Sequence, residues 1–187
     1  MIPALVSRRA AGLAFAVTCW VLAAEPLLVG QAYRTFRDAA GRFEIEYPAK
    51  DWNLLPAGGS AVGILFRSDR TATVVIDLVR LTEPLTPSEV AANARLETET
   101  LKEQQPQAKD FKSETLDTKA GHASVIRFAR MGVTGSERVI RCLVAVGHEL
   151  YRLDAVVPDG SQAKHEATLM HMIQSFKVPA AAGSAKN

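Results

Sequence analysis

The chain has 187 residues, 48% hydrophobic and 22% charged, with a formal net charge of +2. That length suits one domain, and that composition is enough to bury a core. The near balance of charge removes the electrostatic basis for nucleic-acid binding and for attachment to anionic lipid through a polybasic run.

Residues 1–9 contain Arg8 and Arg9 and no acid, and residues 10–24 carry no charge. A basic start followed by a short apolar run is the pattern of a secretory signal. Glu25 and Pro26 interrupt the run before the roughly 20 apolar residues that a spanning helix needs. The reading predicts a signal peptide over residues 1–32, cut after Ala32, with a cut after Ala24 as the alternative. A second alternative is an uncleaved anchor through residues 10–29, extended by Leu27, Leu28 and Val29, which would tether the domain to a membrane. Ser7, Arg8 and Arg9 resemble part of a twin-arginine export signal. Loss of Arg8, Arg9 and Glu25 leaves 20 basic against 19 acidic residues. Cys19 would leave with the same segment. Cys142 is then alone, so no internal disulfide holds the domain and no cysteine sits at a metal-ligand spacing.

Phe43, Ile45 and Tyr47 alternate with Glu44 and Glu46, which predicts a half-buried strand ended by Pro48. Trp52 follows a short loop, and residues 56–60 form a turn. Residues 61–66 and 71–81 are the next strands. Val74, Val75, Ile76, Leu78 and Val79 make the second of these apolar on both faces, which predicts cover on both faces. Thr86, Pro87 and Glu89 carry a capping box with proline in the first turn. The helix they open should end before Pro106. Its apolar face, Val90, Ala94 and Leu101, is thin, which places it on the outside of the sheet. Four strands follow at 111–118, 123–131, 138–146 and 150–157, and short links make them antiparallel neighbours. A final helix starts after Asp159. Ala163, Ala167, Met170, Ile173 and Phe176 form its apolar face, and Pro179 stops it. Residues 179–187 read as a disordered tail. The expectation for residues 33–178 is an α/β (α+β) domain with a mostly antiparallel central sheet sandwiched by helices.

Two segments resemble a known fold. The opening strand Phe43–Pro48 (FEIEYP) followed by Trp52, and the closing helix that runs into Ile173, Gln174, Ser175 and Phe176, resemble the PsbP-like family. That fold is shared with the yeast Ran-release factor and with exported bacterial lipoproteins. The resemblance implies a non-enzymatic accessory or binding protein. It implies no lipid anchor here, because Val17 and Thr18 before Cys19 do not fit a lipidation site. The matched positions are core and turn residues, so no functional residue is carried over.

Candidate site residues come from the chain itself. If the turn near Gly132 closes a simple hairpin, Arg127 falls opposite Arg141, on a face shared with Val125, Ala129, Val139 and Leu143. Two arginines on a partly apolar face need acids, with Asp77 and Asp154 at hand, or an anionic ligand carrying a carboxylate or phosphate. Tyr47 and Trp52 either line a ligand cleft or lock the first strand onto the sheet. His122, His148, His165 and His171 show no metal-ligand spacing. No serine sits in a nucleophile elbow. Cys142 alternates with Ile140 and Val144 as a small core residue. No catalytic, metal or cofactor motif is present. The expected function is an exported, non-catalytic accessory or protein-binding domain of the bacterial envelope, periplasmic or secreted, with an envelope or periplasmic protein as partner. The alternative is a small-ligand or lipid carrier with its pocket between sheet and helix.

Overall fold

The computed structural model describes residues 31–55, 58–59, 61–133 and 135–179. The expected signal up to residue 30, Cys19 included, and residues 180–187 of the expected tail lie outside the described residues. A hairpin comes first, pairing β1 (Tyr33–Arg37) with β2 (Glu44–Pro48). Its turn is tied by Asp38, whose carboxylate accepts the backbone N–H of Ala40 and Arg42 and two N–H groups of the Arg42 guanidinium at 2.7 and 2.8 Å. Beyond the last rung, the Ala49 N–H donates to the Ala32 carbonyl at 2.8 Å.

β3 (Trp52–Leu55), β4 (Ala61–Arg67) and β5 (Thr73–Arg80) form a meander, and α1 (Pro87–Gln104) leaves it. The chain then returns through β6 (Lys109–Thr118), β7 (Gly121–Gly132), β8 (Gly135–Val146) and β9 (Glu149–Pro158), and closes with α2 (Gln162–Ser175). Seven strands share one sheet in the order β3-β4-β5-β9-β8-β7-β6, all neighbours antiparallel. α1 is thus the crossover that carries the chain from β5 to the far edge, so that β9 can return beside β5.

The expected sheet and helices are present, with differences in the strands at the edge and in α2. β1 and β3 are strands that the sequence pattern did not announce. Tyr33–Arg37 does not alternate, and Trp52–Leu55 is only four residues long. The strand expected first, β2, is outside the central sheet. It pairs only with β1 and, through an isolated bridge from Glu44 to Lys177, with the segment after α2.

The layers follow from which side chains each face presents. Val74, Ile76, Val125, Cys142, Val144, Tyr151 and Leu153 face α2 and the β1–β2 hairpin, where they meet Phe43, Ile45, Leu169, Met172, Ile173 and Phe176. Full burial of one such side chain contributes about 1.5–3 kcal/mol. Gly63 makes room here, since a Cβ on it would come within 3.0 Å of the Phe43 ring. Ile126, Phe128, Val139 and Leu143 face the other way, under Val90, Ala94 and Leu101 of α1. β7 and β8 are buried on both faces because a helix lies over each.

α1 begins as its capping residues require. The Thr86 hydroxyl accepts the Glu89 N–H, and the Glu89 carboxylate accepts the Thr86 N–H at 2.7 Å. α2 differs from expectation. Its buried side is His165, Leu169, Met172 and Ile173, whereas Ala163 and Ala167 are exposed. Nor does Pro179 stop it. Phe176 turns out of the helix at φ −59°, ψ 126° and enters the core, 5.6 Å from the Phe43 ring and 5.1 Å from Tyr151.

Candidate functional site

The register of β7 and β8 separates the two arginines expected to face each other. Arg127 lies opposite Ile140, and Arg141 opposite Ile126. Neighbouring residues on a strand point to opposite faces, so Arg127 belongs to the α2 side and Arg141 to the α1 side. Val125 and Ala129 accompany the first, Val139 and Leu143 the second. The joint Arg127–Arg141 face is therefore corrected to two separate environments.

Arg141 is buried and fully engaged. Its Nε and Nη2 donate to both oxygens of Asp154 at 2.7 and 2.6 Å, and Nη1 donates to Glu97 of α1 at 2.6 Å. Burial works against its charge, but Asp154 and Glu97 together hold the guanidinium above its usual pKa. Arg152, its neighbour on β9, pairs with Asp77 at 2.7 Å and reaches Glu97 at 3.7 Å. Asp154 neutralises Arg141, as expected from the sequence, while Asp77 serves Arg152. This network pins α1 to β8 and β9.

Arg127 is held on the other side by Glu114 of β6 at 2.8 Å and Glu166 of α2 at 2.7 Å. It also lines a cavity of about 320 Å³ with Asp110, Lys112, Arg138 and Gln162. Trp52 is buried in the core between the sheet and α2, its Nε1 without a hydrogen-bond partner among the described residues. Tyr47 packs half-buried against the same core. The histidines have separate surroundings. His165 is buried beside the Thr71 hydroxyl, and burial, then Arg67 and Lys164, push its pKa down. His171 lies against Tyr33, the ring centres 4.0 Å apart and the rings tilted by 37°, and meets Glu46 at 2.9 Å. The Cys142 thiol is pushed up to about 12 by burial, which keeps it from acting as a nucleophile. Among the described residues no cluster of His, Cys, Asp and Glu could hold a metal, and no helix is long and apolar enough to cross a membrane.

One feature escaped the sequence reading. Among the described residues, the two faces of β5 are covered unequally. Val74 and Ile76 are buried on the α2 side, while α1 packs over β6, β7 and β8. On the α1 side of the meander, Val79 is 49% and Leu55 43% exposed, while Ile64, Phe66 and Val75 are half-buried. Cross-strand pairing places these side chains on one face: Leu55 opposite Ile64, Ile64 opposite Val75. The expectation of two-sided cover for β5 is corrected. The run of apolar residues that signalled it was the available clue, but sequence does not say whether the cover belongs to the same chain.

This arrangement is the PsbP-like fold. No family model matches the chain, and no curated protein matches it. Solved structures do. Cyanobacterial PsbP (CyanoP) from Synechocystis is similar with a TM-score of 0.59 at 11% identity, over 79% of this chain and 93% of that one. LpqN of Mycobacterium tuberculosis, described as involved in cell envelope biogenesis, gives 0.59 at 15% identity over 80% and 91%. The Ran-binding protein Mog1p of Saccharomyces cerevisiae gives 0.52 at 11% identity over 79% and 96%. At these identities the likeness establishes the fold alone.

Proposed function

We propose that the chain is an exported, non-catalytic accessory domain that docks another protein of the bacterial envelope, in the periplasm or outside the cell. The observation that carries this reading is the α1 side of the β3–β5 meander, where, among the described residues, apolar Val79 and Leu55 stand exposed. An apolar sheet face left open beside a helix is the kind of surface a partner covers. The basic-then-apolar N-terminal stretch supports export. A protein-binding role suits a fold shared with a Ran-binding protein, and an envelope setting suits one shared with LpqN. Tyr47 and Trp52 serve this reading as packing residues, Tyr47 holding β2 against the core and Trp52 fixing the edge strand β3 to it.

The test places a photo-crosslinking residue at Val79, at Leu55 or at Lys164 in the full chain, produced in a bacterial host close to its own. The expected result is an adduct of one size in the envelope fraction from Val79 and Leu55, and none from Lys164, which is exposed on α2. No adduct at Val79, or equal labelling at Lys164, overturns the docking reading. A chain that keeps residues 1–30 and stays in the cytosol overturns export.

A further inference from the structure

The cavity beside Arg127 has a chemistry of its own, independent of the docking face. It exists because β6 bulges. Lys109 pairs with Ala129 and Lys112 with Arg127, so three steps along β6 match two along β7. Asp110 takes a left-handed conformation (φ 60°) to absorb the extra residue. The bulge lifts β6 away from the ladder and leaves about 320 Å³ bounded by β6, β7, β8 and the first residue of α2, Gln162.

The bulge restores pairing at an unfavourable place. Lys112 and Arg127 are directly opposite on antiparallel strands, and like charges in that position repel. Arg138, from β8, adds a third cation to the lining. The acids nearby do not settle this charge equally. Arg127 spends its Nε and Nη1 on Glu114 and Glu166, and Arg138 its Nε and Nη1 on Asp159 and Asp110. Lys112 has no ion pair or hydrogen bond among the described residues. Of the four acids, only Asp110 lines the cavity, so the cavity meets three cations and one carboxylate. Arg127 is anchored by Glu114 and Glu166 and Arg138 by Asp159 and Asp110, which fixes their positions before any ligand arrives. Among the described residues, the Arg127 Nη2 has only the Met170 sulfur, at 3.3 Å, as a partner. Aliphatic Ile140 completes the wall.

We propose that this cavity binds an oxyanion, a phosphate or carboxylate group, seated between Lys112, Arg127 and Arg138. Such a group pairs the Lys112 ammonium, whose side chain has no partner among the described residues, and takes charge-assisted hydrogen bonds from cations already held in place. The site is half-open to solvent, which sets its affinity in the range of weak, salt-sensitive binding. The group arrives either on a small solute or on a lipid headgroup.

The experiment follows the amide resonances of the full domain during titration with inorganic phosphate and, separately, with succinate, against chloride at matched ionic strength. A parallel arm sediments the protein with phosphatidylglycerol–phosphatidylcholine vesicles. Lys112→Glu is the main variant, because Lys112 is exposed and unpaired and its loss leaves the fold alone. Arg138→Gln is the second variant. The expected result is a saturable shift at Lys112, Arg127 and Arg138 that chloride does not reproduce, weakened about tenfold in both variants. Shifts with the solutes assign a free oxyanion. Vesicle binding alone, lost in Lys112→Glu, assigns a headgroup. No saturable shift and no vesicle binding, or binding unchanged in Lys112→Glu, overturns the proposal.

Discussion

Arg141 and Asp38 show how differently two ion pairs contribute. Removing one partner of a buried pair strands the other charges in a poor solvent, at about 3–5 kcal/mol. Arg141→Ala leaves Asp154 and Glu97 facing each other beneath α1, so urea unfolding should report a loss of that size. Lys102→Ala, which breaks an exposed pair with Glu99, should cost less than about 1 kcal/mol. Asp38 acts through pH. The hydrogen bond from Arg42, against the opposing effect of burial, holds its carboxyl below the usual value of 3.8. A depressed acid stabilises the fold fully above its unfolded pKa, and that stability is lost as pH falls through the folded value. Asp38→Asn should therefore lower the melting temperature at neutral pH and flatten its decline below pH 3.8. An unchanged acid limb would exclude Asp38 as a contributor.

Helices and strands differ in how far their fate is local. α1 was legible because Thr86, Pro87, Glu89 and Pro106 act within a few residues of themselves. α2 was not, because its buried side is chosen by distant partners. His165 Nε2 lies 3.3 Å from the Thr71 hydroxyl, and Ser175 receives the Glu46 N–H at 2.9 Å, while alanines at 163 and 167 have too little side chain to compete. The arginine pairing failed on parity. With Gly132 paired to Gly135, every β7 residue pairs with a β8 residue of opposite parity, and Arg127 and Arg141 are both odd. The charged cavity was half legible: Arg127 was marked for an anionic group, but its companions came from a bulge that no local pattern announces. Packing at the element scale is tested at Gly63, where β4 passes the Phe43 ring. Gly63→Val should overpack this contact and cost about 1–3 kcal/mol. A Phe43→Leu change in the same chain should recover part of that loss. Additive losses would mean the two side chains do not meet.

At the scale of the whole molecule the two sides of the sheet have unequal roles. The α2 side is closed by the molecule's own aromatic stack, whereas on the α1 side the helix lies over β6, β7 and β8, its Glu97 reaches Arg152 of β9, and Val79 and Leu55 are exposed. Stability and docking should therefore separate. Val79→Lys leaves a half-exposed strand position exposed, so its unfolding free energy should stay within about 0.5 kcal/mol of the parent. The same change should abolish the cross-link formed from Leu55. A large loss of stability would show instead that Val79 belongs to the fold. Maturation bears on the other end of the molecule. The amide of Ala49 leans on the carbonyl of Ala32, one residue before β1. A peptidase cutting after Ala32 takes that carbonyl away, turns the Ala49 amide to water and sets a new ammonium group at Tyr33, across from Pro48. A cut after Ala24 leaves the rung intact. If the expected signal is removed, the point of cleavage decides whether the remaining chain starts with its first hairpin sealed or already frayed.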